Sequence, residues 1–354
     1  MISMIAMSGG VDSSVAAALA ADLRGGDACA GVAMRLYSTA DDAARTGRTC
    51  CAPDDLYDAR RAAAKVGIRF YVYDAEERFR AQVIEPFIDS YARGETPNPC
   101  VRCNDHVKFD WLLDRARRLG AGELVTGHYA RVERRDGRFR LMRAADASKD
   151  QSYFLHGLTQ EELSMVQFPL GALTKVQVRG IARQRGLPNA DKAESMEVCF
   201  VGTTPLREFL ERHGVERARG EIVDMEGNVL GAHDGVHRFT VGQRRGIGSG
   251  FKLPLYVAAL DAGRQRVVVG SREEAQRRDF RALEASWVQD RPLPGTRCEV
   301  QIRHRGKPLP AVLDPSGAQV EVKLLEPALG VAPGQSAVFY QGDEVLGGAT
   351  IAGS

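Results

Sequence analysis

The segment from Ile5 to Ser14, Ile-Ala-Met-Ser-Gly-Gly-Val-Asp-Ser-Ser, constrains the fold of this chain more than any other. A short apolar run gives way to two glycines. Asp12 and the hydroxyls of Ser13 and Ser14 follow, and then the alanine-rich stretch 15–21 begins. The order is strand, tight turn, helix N-terminus. Such a turn is suited to holding a phosphate. Gly9 and Gly10 let the backbone approach an anion closely and tolerate positive φ. Successive N–H groups form an anion nest, and the helix contributes its positive dipole end. Ser8, Ser13 and Ser14 supply hydroxyl donors. Asp12 would repel a bare phosphate, so it points to a bridging Mg²⁺ or to the positioning of pyrophosphate. The plainer alternative is a glycine turn capped by Asp12, which leaves two glycines and three hydroxyls unexplained. The segment lacks the Gly-Lys-Ser/Thr ending of a Walker loop and the Gly-x-Gly-x-x-Gly of a dinucleotide fold.

Strand and helix patterns alternate after this turn. Strands are predicted at 4–7, 29–36, 69–73 and 123–126, with helices near 11–23, 53–66, 77–92 and 107–119. This order predicts an α/β fold with a doubly wound parallel sheet. Ligands of such sheets lie beyond the carboxyl ends of the strands. The glycine turn, Met34 and Gly127-His128 all fall at such ends, so one crevice is expected to gather them. A polar loop over 96–104 is expected to carry Cys100 and Cys103. Asp136-Gly137 signals a hairpin, and a helical pattern from 152 to 185 is stopped by Gly186 and Pro188. Beyond Phe200 comes one short helix near 205–212, then strands punctuated by glycine. From Asp279 only strands remain, with prolines at their breaks. The expected domains are 1–200, holding the nucleotide and the chemistry; 207–275, a small central α/β module; and 279–354, a C-terminal β-barrel.

The chain has 354 residues and a formal net charge of +2, so any nucleic-acid contact must come from local clusters rather than from overall charge. Two clusters stand out. Arg238, Arg244, Arg245 and Lys252 are interleaved with Phe239 and Phe251, and Arg303, His304, Arg305 and Lys307 form the other. Charge runs are usually solvated faces, but basic loops on small β modules also grip RNA. No apolar run reaches transmembrane length and no basic-then-apolar leader is visible, so a cytoplasmic protein without membrane contact is expected.

Seven cysteines, an odd number, argue against a disulfide framework. Cys100 and Cys103 form a C-x-x-C, which is either a redox pair or half of a metal site. Cys199 lies far away in sequence. The adjacent pair Cys50-Cys51 fits a tetrahedral zinc site with Cys100 and Cys103 awkwardly. Cys29 and Cys298 sit in strand patterns and are expected to be ordinary buried residues.

Ser8-Gly9-Gly10-Val11-Asp12-Ser13 resembles the pyrophosphatase loop of the N-type ATP pyrophosphatases, which split ATP into AMP and pyrophosphate. Further motifs follow it in order: Thr96-Pro97-Asn98-Pro99 with Cys103-Asn104, Gly127-His128-Tyr129, Lys149-Asp150-Gln151-Ser152-Tyr153-Phe154-Leu155 and Cys199-Phe200. Gly242-Gln243-Arg244-Arg245-Gly246 and Leu346-Gly347-Gly348 complete the series. The ordered set resembles the bacterial tRNA-specific 2-thiouridylase family over essentially the whole chain.

The resemblance implies ATP-dependent 2-thiolation of the wobble uridine of tRNA(Lys), tRNA(Glu) and tRNA(Gln), with ATP and Mg²⁺ as cofactors. It places ATP against Ala6, Met7, Ser8, Gly9, Gly10, Val11, Asp12, Ser13, Ser14, Met34 and Gly127. The target base falls to Asn98, Pro99 and position 100, and other tRNA contacts to His128, Lys149, Asp150, Gln151, Arg303, His304 and Gln341. Cys199 carries a persulfide, Cys103 is its catalytic partner, and the two end as a disulfide to be reduced. The implied sulfur donor is a cysteine desulfurase or a sulfur relay protein. The sequence supplies no obvious dimer interface, so a monomer that engages tRNA one to one is expected.

The chain departs from the family pattern at Cys100, where many members have aspartate, and at His304, where tyrosine is commoner. Cys100 opens a second route, in which Cys100, Cys103 and Cys199 hold a four-iron, four-sulfur cluster. For several of these residues a plainer reading stands beside the functional one. Met34 as a core methionine, Gly127 as a plain turn, His128 as a structural histidine and Asp150 as a helix cap all remain open. Two other functions are also weighed. An amide-forming ATP pyrophosphatase gives the C-x-x-C and the barrel no role. A non-catalytic tRNA-binding or iron–sulfur scaffold has no need of Asp12, Ser13 and Ser14.

Overall fold

The first strand, β1 (Ile2–Ala6), forms the middle of a parallel five-stranded sheet. Its neighbours are β2 (Cys29–Arg35) on one side and β4 (Ala121–Val125) on the other. β3 (Arg69–Asp74) pairs with β2, and β7 (Val166–Gln167) with β4. The computed structural model describes residues 2–37, 53–194, 198–248 and 253–353. By its contacts the chain divides into two units. One comprises Met1–Ile84, Pro99–Thr204 and Asp343–Val345; the other comprises Glu85–Asn98, Pro205–Gly342 and Leu346–Ser354.

In the first unit the expected doubly wound parallel sheet is present. The order β3-β2-β1-β4-β7 reverses direction between β1 and β4. That switch point opens a crevice beyond the strand ends, where the glycine turn after β1 and Gly127-His128 after β4 both fall. Helix α1 (Val11–Arg24) packs against α2 (Pro53–Val66) and α8 (Lys175–Gln184). Alanines make this packing close. Ala16, Ala17 and Ala20 of α1 join Ala59, Ala62 and Ala63 of α2 and Ala182 of α8 in one core with Ile5, Met7 and Val125. Short side chains let the helix axes approach, and dispersion contacts replace bulk. The Asp136-Gly137 hairpin joins β5 (Arg131–Arg135) and β6 (Arg138–Met142), and both turn residues have positive φ.

Three local expectations are corrected. The polar loop over 96–104 is half helix: Pro99–Cys103 is α5, and it runs on through a π-helical stretch, Asn104–Leu112, into α6 (Leu113–Arg118). Pro99 opens α5, since proline suits the first position of a helix, where its missing N–H leaves nothing unpaired. The helical pattern over 152–185 is interrupted: a 3₁₀ turn (Ser152–Leu155), a one-turn helix α7 (Gln160–Leu163) and the strand β7 precede α8. Two-residue β7 is too short for periodicity to reveal. The helix predicted at 77–92 contains a π-helical stretch at Arg80–Ile84, between α3 (Glu76–Phe79) and α4 (Glu85–Ala92).

The second unit contains α9 (Leu206–Arg212) and two β structures. A four-stranded sheet has the order β10-β11-β8-β9, from β8 (Gly220–Val223), β9 (Val229–His233), β10 (Tyr256–Asp261) and β11 (Arg266–Gly270). Ile222, Val257, Val267 and Val269 fill its core. The remaining six strands are β12 (Gln276–Trp287), β13 (Thr296–Gln301), β14 (Leu309–Ser316), β15 (Gln319–Leu329), β16 (Ser336–Gln341) and β17 (Glu344–Ile351). They run β12-β15-β14-β13-β16-β17, and β12–β17 pairing closes the ring into a barrel. Closure removes the exposed edges that an open sheet of this length would present. The alternation is clean in β15, where Val320, Val322 and Leu324 point inward between exposed neighbours.

Candidate active site

The turn after β1 carries Gly9 at φ +76°, a conformation that favours glycine. A Cβ there would stand 2.2 Å from the Asp55 carbonyl oxygen, so α2 lies directly against the loop. Helix α1 begins at Gly10 with no side-chain cap. Asp12 therefore caps nothing, and the leading N–H groups of the helix keep their capacity for an anion. The hydroxyls divide between roles. Ser8 is exposed, and its N–H donates to Ser13 Oγ at 3.1 Å. Ser13 Oγ and Ser14 Oγ donate to the Gly10 carbonyl at 3.1 and 3.0 Å. Ser14 is fully buried and accepts from Asn189 Nδ2 at 2.8 Å, so it braces the loop from inside. Asn189 Nδ2 also donates to Gly9 O at 2.9 Å, and the buried Asn189 Oδ1 has no partner among the described residues.

Asp12 is the electrostatic centre. Lys175 Nζ donates to both its carboxylate oxygens at 2.8 Å, and the Tyr129 hydroxyl donates to Oδ1 at 2.8 Å. Burial, followed by Asp12 beside it, raises the Tyr129 hydroxyl above the ordinary tyrosine range, so it stays a donor. Lys175 also reaches Glu194 at 2.7 Å, and Glu194 reaches Lys149 at 2.7 Å. Burial would raise Glu194, but Lys149 and Lys175 outweigh it and hold the carboxyl at about 2. Lys192 bonds Asp55 at 2.5 Å and Asp58 at 2.6 Å, with Gly9 O at 3.4 Å. Burial opposes its charge, yet the two aspartates carry the ammonium above the ordinary lysine value. Of these groups the sequence reading had placed only Asp12 and Lys149 at a site. Lys175, Asn189, Lys192 and Glu194 follow the sheet at a distance in sequence. Their signal was a polar run, 189–194, just ahead of Cys199, and a lysine opening the apolar face of α8.

Gly127 has a more mechanical role than a plain turn. A Cβ on it would stand 2.7 Å from Ser13 N and 2.8 Å from Asp12 C, so β4 ends flush against the first turn of α1. The neighbouring His128 is wedged between Phe109 and Phe168. Burial, then the nearby Lys108, push it well below the ordinary histidine value, so the ring is neutral at pH 7. Lys108 Nζ lies 3.5 Å from Nε2 and Thr126 Oγ1 2.7 Å from Nδ1. With Nε2 accepting from the ammonium, Nδ1–H donates to Thr126. Met34 is buried at the end of β2.

Asp150 accepts from Ala144 N, Ser152 N, Ser152 Oγ and Arg143 Nη1, all within 3.2 Å, and so holds the backbone on both sides of the Lys149–Gln151 segment. Gln151 is tied to Tyr129 twice, by N–H to carbonyl at 2.8 Å and by Oε1 from the Tyr129 N–H at 3.0 Å.

Cys103 closes α5, Cys100 is exposed on it, and Cys199 is half-buried. Arg102 Nε donates to Gln82 O at 2.8 Å, and Phe200 packs edge-on against Phe79 at 5.8 Å between centroids. Both cysteine segments thus lean on the helix of residues 76–84. Among the described residues, no three His, Cys, Asp or Glu side chains converge as metal ligands. Cys50 and Cys51, considered for zinc, lie outside the described residues. Cys29 is buried, and burial pushes the Cys298 thiol up to about 12.

In the second unit the two basic loops meet. A Cβ on Gly242 would stand 2.6 Å from Gly330 Cα, and Arg303 Nη1 would lie 3.7 Å from one on Gly330. Arg244 and Arg245 are exposed on the first loop, which Gln243 shapes by accepting from Thr240 N and donating to Arg245 O. Arg303 is exposed and His304 half-buried in a turn held by Gly306 N donating to Arg303 O, with Arg305 at φ +62°. Gln341 is exposed at the end of β16, and Asn98 is half-buried just before α5. No helix among the described residues is long and apolar enough to cross a membrane.

Comparison with known proteins agrees with this layout. The family model described as the tRNA methyl transferase HUP domain matches residues 2–203. Models described as the tRNA methyl transferase PRC-barrel domain and the aminomethyltransferase beta-barrel domain match 207–271 and 277–351. The chain is 49% identical to a tRNA-specific 2-thiouridylase MnmA of Geobacter metallireducens, over 98% of this chain and 96% of that protein. It is 47% identical to one of Chloroflexus aurantiacus, over 99% and 98%. Similarity along the whole length places the chain in the tRNA-specific 2-thiouridylase (MnmA) family of tRNA sulfurtransferases.

Proposed function

We propose that this protein uses ATP to replace the C2 oxygen of the wobble uridine in tRNA(Lys), tRNA(Glu) and tRNA(Gln) with sulfur. The observation that carries this reading is the uncapped, glycine-built turn with Asp12 at its centre, in the same unit as the thiols Cys103 and Cys199. The loop residues Ala6, Met7, Ser8, Gly9, Gly10, Val11, Ser13 and Ser14, with Met34 and Gly127, would receive ATP. Asp12 fits Mg²⁺, which favours one carboxylate shared with substrate phosphates and would neutralise the pyrophosphate leaving group.

The C2 carbonyl oxygen of uridine is a poor leaving group. Its attack on the α-phosphorus of ATP expels pyrophosphate and converts that oxygen into a leaving AMP. The deprotonated outer sulfur of a Cys199 persulfide then attacks C2 and AMP departs. The Cys103 thiolate attacks the inner sulfur on Cys199, which frees the C2 sulfur as thiouridine and leaves a Cys103–Cys199 disulfide. An external thiol reduces it, and a cysteine desulfurase or relay protein restores the persulfide. Alignment of base, nucleotide and persulfide supplies much of the acceleration.

Asn98, Pro99 and Cys100 would line the pocket for the extruded base. Lys149 and Gln151 would take backbone and sugar, as would Arg244, Arg245, Arg303, His304 and Gln341. Neutral His128 would act through shape and hydrogen bonding rather than charge, and Asp150 through holding its segment. One monomer per tRNA suits this division.

The test pairs anaerobic metal analysis with the reaction. Unmodified tRNA(Glu), Mg·ATP, a cysteine desulfurase and cysteine are expected to give 2-thiouridine with no stoichiometric iron. Asp12→Ala is expected to abolish pyrophosphate release, and Cys199→Ser to abolish thiolation while sparing pyrophosphate release. Iron and acid-labile sulfide that track activity would move the sulfur onto a cluster. Pyrophosphate release that needs a small carboxylate and no tRNA would favour an amide-forming synthetase.

A further inference from the structure

The charge at the phosphate loop does not end there. Lys175 Nζ bonds Asp12 Oδ1 and Oδ2 at 2.8 Å and Glu194 Oε1 at 2.7 Å. An ammonium has three donors, so these contacts use all of them. Glu194 Oε2 continues the chain to Lys149 Nζ at 2.7 Å. A second path runs from Asp12 through the Tyr129 hydroxyl and the Tyr129 backbone to Gln151. Lys149 and Gln151 thus both trace back to one carboxylate, and Glu194 stands five residues before Cys199. The Lys175 side chain at the centre of this chain of charges is only 11% exposed.

A lysine opening a helix is an odd placement. The N-terminus of α8 already carries positive dipole, and Thr174 with Gln177 forms a complete capping box without any help from Lys175. Its ammonium serves Asp12 and Glu194 instead. A phosphate group reaching the loop finds a cation with no spare donor, so it binds Lys175 only by displacing a carboxylate.

We propose that Lys175 is a positioning residue that couples nucleotide occupancy of the loop to tRNA capture at Lys149. The inference rests on the reading that the loop takes ATP and that Lys149–Gln151 meets tRNA. Mg²⁺ and the nucleotide phosphates take over Asp12 and draw Lys175 toward them. Glu194 follows Lys175, and Lys149 is released for an RNA phosphate. Coupling of this kind is reciprocal, so tRNA tightens nucleotide binding by the same factor.

The experiment measures the dissociation constant of unmodified tRNA(Glu) for the full chain with and without Mg²⁺ and α,β-methylene-ATP, which resists cleavage at the bond that breaks. The ratio of the two constants is the readout, so affinity losses common to both states cancel. Wild type is expected to bind tRNA at least about 5-fold more tightly with the analogue, within the usual span of coupling. Glu194→Gln and Lys175→Met are expected to bring the ratio within about 2-fold of unity, while Lys175→Arg retains part of it. Glu194→Gln is isosteric and carries the test if Lys175→Met fails to fold. A wild-type ratio at or below unity overturns the proposal, as does an undiminished ratio in Glu194→Gln. Wild type that binds either ligand not at all overturns the underlying functional reading first.

Discussion

Adding a single methyl group at Gly127 tests how closely the end of β4 fits the phosphate turn. In Gly127→Ala the new Cβ meets Ser13 N at 2.7 Å, Asp12 C at 2.8 Å and Ser13 Cα at 3.0 Å. All three atoms are backbone of the first turn of α1, so no side chain can swing aside. Ordinary carbon contacts begin near 3.5 Å, and the strand end and helix must therefore part by roughly 0.5–1 Å. Overpacking of this size costs about 1–3 kcal/mol. For a folding unit of this length that lowers Tm by about 2–12 °C. The functional loss is expected to be larger than the stability loss. The displaced atoms flank Asp12, and misplacement near 1 Å can cost about 100-fold in rate. The assay is pyrophosphate release with saturating tRNA beside a thermal melt of the same preparation. A variant that melts with wild type and releases pyrophosphate at the wild-type rate would refute the close-approach argument and return Gly127 to a plain turn.

Two further outcomes are expected. Burial, with Glu162 as a lesser contribution, raises the Asp105 carboxyl to about 7. The folded state therefore keeps that proton longer than the unfolded chain, and stability is lost as pH rises from about 4 to 7. Asp105→Asn is expected to melt at least about 2 °C above wild type at pH 8, the gap closing towards pH 4; equal melting at pH 8 would show that the carboxyl is not strained. Glu194 has the opposite sign. Its carboxyl is held at about 2 against an ordinary 4.5, so its contribution is complete above pH 4.5 and lost as pH falls towards 2. The melting difference between wild type and Glu194→Gln is thus expected to be constant above pH 5 and to shrink below 4. A difference independent of pH in that window would disconnect Glu194 from Lys149 and Lys175.

Much of the architecture is legible in the chain because it is written in local periods. Helix α2 spans Pro53–Val66, where the sequence pattern predicts a helix near 53–66. The Asp136-Gly137 turn is fixed by two residues that tolerate positive φ, and the barrel strands by alternation such as that of β15. The loop expected over 96–104 is helical from Pro99 because proline can end one helix or begin another, and only the chain around it decides which. The two-residue β7 was missed because it owes its existence to β4 beside it.

The sequence by itself determined that a glycine turn follows the first strand, that a parallel sheet surrounds it and that strand-rich modules come after. Each of these follows from residues within a few positions of one another. The tertiary structure alone decided what stands around Asp12. Lys175 is 163 residues from it and Tyr129 is 117, and no spacing rule links them. Their meeting depends on α8 packing against α1 and on β4 ending beside β1. The same holds for the basic loops at Gly242 and Arg303, which both lie against Gly330. Local propensity sets where strands and helices form, whereas charge pairs across the sheet arise from packing, and packing is a property of the whole chain.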